Sequence, residues 1–112
     1  MFVKDIKPKI EFTKEFEFSK LNSIPDTYGC YIISNFNEEI MYIGKATSLR
    51  NRMTNHLDTP EKNTKTKLGK AYWFSYKLCE NEFEISKLEK GWLNEYELKN
   101  GELPIFNKIH AG

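Results

Sequence analysis

Among the side chains with chemistry to offer, one set stands in an order whose spacing can be read. Tyr31 is followed by Tyr42-Ile43-Gly44, Arg52 stands ten residues after Tyr42, and His56 four after Arg52. Glu95 and Asn107, twelve residues apart, complete the set. Arginine presents a planar fork of donors that suits phosphate, and histidine changes charge near neutral pH. A single carboxylate, with waters supplying the other ligands, suits Mg²⁺, which keeps much of its hydration. A tyrosine near pKa 10 becomes a base only where positive charge favours the phenolate. Together these types fit the hydrolysis of a phosphodiester. That reaction needs a water made nucleophilic, neutralisation of charge growing on the phosphate, and help for the departing oxygen. Taken singly, each residue also has a plain structural reading: packed strand aromatics, a solvated helix arginine or carboxylate, an asparagine capping a turn.

The elements that must position these residues follow from pattern. Ser23-Ile24-Pro25-Asp26 signals a turn, and Tyr28 to Ser34 reads as a strand apolar on both faces, hence central. Asn35 to Glu39 is a short polar connection, and Ile40 to Gly44 returns as the second strand of an antiparallel hairpin. Thr47 or Ser48 can cap a helix whose Leu49, Met53 and Leu57 recur at helical spacing, with Arg52 and His56 on a neighbouring face. Leu57 to Leu68, with Pro60, reads as a long exposed loop, and Ala71 to Leu78 as a third strand by its aromatic content. Asn81, with Glu84 at the capping-box position, opens a last long helix that Gly101 and Pro104 stop. Ile85, Leu88, Trp92 and Tyr96 form its buried stripe; Glu95 lies on one edge of that stripe and Glu89, the rival acid, on the other.

Length and charge bound the possibilities. With 112 residues there is room for one compact domain, and 39% hydrophobic with 29% charged residues is an ordinary soluble globular composition. Residues 1–22, which alternate Lys and Glu with Ile10, Phe12, Phe16 and Phe18, read as a strand or an N-terminal arm that packs its phenylalanines on that domain. No apolar run approaches the roughly 20 residues of a membrane span, and the start lacks a signal-peptide core, so a cytoplasmic protein with no membrane partner is expected. Cys30 and Cys79 have no metal-ligand or disulfide spacing and read as core residues. The net charge of +1 hides a basic middle: residues 45 to 77 carry eight lysines and arginines against Asp58 and Glu61, or +6, leaving −5 for the remainder. Such a segment can attract a polyanion, through phosphate contacts rather than base readout, while Lys62 to Lys70 taken alone reads equally as a solvated lysine-rich loop.

The ordered set resembles the GIY-YIG nuclease family, with Gly29-Cys30-Tyr31 and Tyr42-Ile43-Gly44 as its two triplets. The likeness covers residues 24 to 107. Tyr42-Ile43-Gly44-Lys45-Ala46 with Leu49 and Arg52 is most similar to the excision-repair branch, and Leu-Pro-Ile-Phe-Asn ending at Asn107 resembles the usual Pro-x-x-Asn close. Cys30 departs from the commoner isoleucine or valine, an apolar exchange. The resemblance implies an α+β fold, a three-stranded antiparallel sheet flanked by helices, and a divalent-metal-dependent endonuclease acting on DNA with Mg²⁺ or Mn²⁺ and no small-molecule cofactor. It implies Tyr31 as general base, Tyr42 orienting water or phosphate, Arg52 holding the scissile phosphate, His56 donating to it or moving a proton, and Glu95 as metal ligand. Lys45 and Arg50 would position phosphate, and Asn107 would contact it or brace the site. Family members usually gain targets from appended DNA-binding regions. Here the substrate is expected to be structure-selected, weakly selected or supplied by a specificity-giving protein partner. A nucleic-acid-binding module of the same fold without cleavage is the competing expectation.

Overall fold

The computed structural model describes residues 1–59 and 64–110, so Pro60, Glu61 and Lys62 of the expected loop and its charge lie outside the described residues. In chain order the strands are β1 (Phe12–Glu15), β2 (Gly29–Ser34), β3 (Ile40–Ala46) and β4 (Trp73–Leu78); the helices are α1 (Leu49–Leu57), α2 (Glu82–Asn100) and α3 (Ile105–His110). They form one sheet of order β1-β4-β2-β3, antiparallel throughout. The sheet thus has four strands where three were expected. Phe12 to Glu15 of the arm pairs with β4 from Phe12↔Tyr76 to Glu15↔Trp73, satisfying an edge that would otherwise stand bare. Of the arm's phenylalanines only Phe16 is buried; Phe12 stacks on Tyr76 at 5.2 Å while half-exposed, and Phe18 is exposed.

All six residues of β2 are buried, because an apolar layer covers each face of the sheet. On one face Tyr31 and Ile33 pack with Leu49 and Met53 of α1, Phe74 of β4 and Phe106 of α3. On the other, Cys30, Ile32 and Ile43 pack with Ile85, Trp92 and Tyr96 of α2. The alternation of β2 therefore sorts Tyr31 to the α1 side and Cys30 to the α2 side.

Local signals start and stop the helices. Ser48 accepts the amide of Asn51 at 3.2 Å and opens α1; Asn81 Oδ1 accepts the amide of Glu84 at 2.9 Å and opens α2. Gly101, at φ 77°, ends α2 in the left-handed conformation that glycine adopts without a Cβ penalty. No helix among the described residues is long and apolar enough to cross a membrane. Asn81→Ala removes the cap that orients α2 and is expected to cost about 1 kcal/mol, read as a drop in thermal midpoint of roughly 4–8 °C; an unchanged midpoint would mean the cap is idle.

Candidate active site

The β2–β3 register sets the centre of the site. Tyr31 pairs with Gly44 and Ile33 with Tyr42, so both tyrosine rings lie on the α1 face with centroids 5.9 Å apart. A Cβ built on Gly44 would fall 2.5 Å from Tyr31 Oη and Cζ and 2.8 Å from Tyr42 Cε2. The phenol of Tyr31 occupies the space that a side chain at position 44 would need, so glycine is required there sterically.

Helix α1 closes this seat from above. Tyr31 Oη lies 2.6 Å from His56 Nε2, a buried hydrogen bond, and the His56 ring makes edge contacts with Tyr31 and Tyr42. Phe74 stacks on the remaining side of Tyr31 at 5.0 Å, leaving Tyr31 fully buried. Burial raises the Tyr31 phenol well above its ordinary value, and the neighbouring Tyr42 adds to this; the Arg52 guanidinium acts the other way. One helical turn before His56, Arg52 is half-buried beside both hydroxyls, and its Nε is buried with no hydrogen-bond partner among the described residues. A buried unpaired donor costs free energy until an acceptor arrives.

The carboxylate that couples to Arg52 is Glu89. Burial raises its carboxyl above the ordinary carboxylate range, and Lys45 and then Arg52 oppose the rise, which places both cations within its electrostatic reach. Glu95 is placed elsewhere: it pairs with Lys99 at 3.7 Å, an i,i+4 contact on α2 itself. Six residues of helix separate the two acids by about 9 Å along the axis and about 240° around it, so one helix cannot present both to one point. The structure brings Glu89, rather than the expected Glu95, within electrostatic reach of Lys45 and Arg52. Counting twelve residues back from Asn107 crosses the turn at Gly101 to Pro104, and such a count is not a distance along the helix. The signal that favoured Glu89 was its place on the opposite edge of the stripe; which edge faces the site is decided by the handed path of the chain.

Asn107 and Arg50 both engage the backbone. Asn107 spends its whole amide on the backbone of Ile43, Oδ1 accepting from the amide at 2.9 Å and Nδ2 donating to the carbonyl at 2.8 Å. It braces the edge strand β3. Arg50 donates through Nε to the carbonyl of Ile24 at 2.8 Å and ties α1 to the segment before β2. Lys45 extends from β3 to α2, its Nζ 3.1 Å from Ser86 Oγ.

Residues 27–102 match the model of the GIY-YIG catalytic domain, which is well over half of the chain. The chain belongs to the GIY-YIG family. It is 34% identical over 95 residues to UvrABC system protein C of Lactiplantibacillus plantarum, covering 83% of this chain and 15% of that protein. The same protein of Caldicellulosiruptor saccharolyticus is 34% identical over 82 residues, 71% of this chain and 14% of the relative. The GIY-YIG chain thus spans about a seventh of the length of these curated relatives. Among solved structures it is similar to the N-terminal GIY-YIG endonuclease domain of UvrC from Thermotoga maritima, a point mutant bound to its catalytic divalent cation. That likeness has TM-score 0.56 and 25% identity over 80% of this chain and 91% of that one. The α+β fold and the standing of the chain as a GIY-YIG endonuclease domain rest on these matches together.

The seat of Tyr31 makes two outcomes measurable. Gly44→Ala forces atoms into a filled space and is expected to cost about 1–3 kcal/mol and to displace the Tyr31 hydroxyl from His56, visible in the His56 imidazole NMR shifts; native stability with unmoved shifts would refute the steric account. Tyr31 ionises near pH 10 when unfolded and later when folded, so above that pH the unfolded chain holds fewer protons and stability falls. The fall is about 1.4 kcal/mol per pH unit for such a residue. Denaturant titrations from pH 9 to 11.5 are expected to show a shallower fall for Tyr31→Phe than for the wild type, and equal slopes would place the buried proton elsewhere.

Proposed function

We propose that this domain hydrolyses phosphodiester bonds in DNA with a divalent cation, Mg²⁺ or Mn²⁺, held by Glu89. The observation that carries the reading is the convergence of Tyr31, Tyr42, Arg52 and His56 with a half-buried carboxylate flanked by Lys45 and Arg52.

The donor set fits such a cation. A single carboxylate, Glu89, with the other positions left to water and phosphate, suits Mg²⁺, which keeps much of its hydration. When bound, the cation supplies charge neutralisation at the phosphate and stabilises the departing oxygen. Arg52 grips the phosphate, its buried Nε finding there an acceptor where none is present among the described residues. Tyr31 passes its proton to His56 through their short contact as it takes one from the attacking water. This pairing answers the objection that a buried phenol is a poor base alone: the charge is moved onto an imidazole whose ordinary pKa lies near neutral. Tyr42 orients water or phosphate through its hydroxyl, and Lys45 lends positive charge beside Glu89. The basic stretch around α1 gives the approach its salt dependence. Choice of target is left to DNA structure or to a protein partner.

Supercoiled plasmid incubated with the protein and Mg²⁺ or Mn²⁺ is expected to be nicked, with Glu89→Gln slower by roughly 100-fold or more and Glu95→Gln close to wild type. The reverse ranking of the two variants would return the metal to Glu95. Salt-dependent DNA binding with no nicking under either metal would leave a binding module in place of a nuclease.

A further inference from the structure

Lys45 and Glu89 carry opposite charges and feel one another, yet among the described residues no N···O contact within 4.0 Å joins them. The ammonium ends instead at the Ser86 hydroxyl, 3.1 Å away. Ser86 stands three residues before Glu89, one turn along the same helix and on the same side. Lysine has a long flexible stem and a point charge that turns readily toward any nearby carboxylate. Without a competing acceptor, the short path for Lys45 is onto Glu89, where it would occupy the oxygens a cation needs.

We propose that Ser86 is a positioning residue that holds the Lys45 ammonium beside the Glu89 carboxylate instead of on it. The carboxylate then stays open to a divalent cation, and the ammonium stays directed at the phosphate that the cation neutralises. This rests on Glu89 as the metal ligand, and it adds a residue that the ordered sequence set does not contain. Nothing in the packing of α2 otherwise calls for serine: position 86 is exposed, and alanine is the better helix former. Ser86→Ala is therefore expected to fold at least as well as the wild type, which keeps its effect on the site separate from stability.

Mn²⁺ binding to the full chain without DNA, followed by calorimetry, provides a readout independent of cleavage. Ser86→Ala is expected to weaken Mn²⁺ binding about two- to five-fold, the scale of one lost hydrogen bond, and Ser86→Thr, which keeps the hydroxyl, to restore it. In a Lys45→Met background the same serine-to-alanine change is expected to have no effect, because the competing ammonium is gone. In cleavage assays Ser86→Ala is expected to raise the metal concentration for half-maximal rate more than it lowers the rate at saturating metal. Unchanged Mn²⁺ affinity in Ser86→Ala, or an equal loss in the Lys45→Met background, would overturn the positioning role while leaving Glu89 as ligand. Wild-type binding indistinguishable from Glu89→Gln would overturn the metal site and this role together.

Discussion

The arrangement depends on one steric exchange: the phenol of Tyr31 fits only because residue 44 has no side chain. Every later contact presupposes it. The hydroxyl reaches His56 because the ring lies flat over the neighbouring strand, and the ring lies flat because the register sets Tyr31 opposite Gly44. A slip of one residue would turn Tyr31 to the α2 face and bring Cys30 to the α1 face, so the register is also what distinguishes a site from a packed core. The hairpin connection enforces it. Asn35 Oδ1 accepts the amide of Glu39 at 2.8 Å, Asn35 Nδ2 donates to the carbonyl of Leu68 at 2.8 Å, and Glu38 takes a positive φ to complete the turn.

The electrostatics follow from the sheet acting as a wall between two half-sites. The tyrosines and His56 lie on its α1 face, while Glu89 comes with α2 from the other. Arg52 acts on both groups: it opposes the rise of the Tyr31 phenol and that of the Glu89 carboxyl. Burial alone would keep both groups neutral; cations alone, in water, would be too well screened to matter. Burial prevails at Tyr31, whose phenol stays protonated well above its ordinary range, while at the half-buried Glu89 the cations Lys45 and Arg52 oppose the rise that burial causes.

Much of this was legible in the residues because it rests on short-range rules. The hairpin, the caps at Ser48 and Asn81, the stop at Gly101 and the stripe of Ile85, Trp92 and Tyr96 are all set by neighbours within a few positions. What was not legible depends on how distant segments meet. Residues 1–22 read equally as a strand or an arm, and Phe12 to Glu15 becomes a strand because β4 offers an open edge. The choice between Glu89 and Glu95 was open for the same reason: both flank the stripe, and only the tertiary path of α2 across β2 and β3 says which flank sees Arg52. Asn107 shows a third kind of gap, since its type suits a backbone bracket and a phosphate contact equally, and the partner that decides is Ile43, 64 positions away.

That bracket bears on more than the site. β3 is the outer strand of the sheet, and an outer strand carries free amides and carbonyls that another chain's strand can pair with. The Asn107 amide offers Ile43 one donor and one acceptor, as a neighbouring strand would, and α3 packs over the place where such a strand would lie. The last short helix therefore serves as a plug against edge-to-edge association. A chain that lost it would bare the outer strand and be drawn toward aggregation.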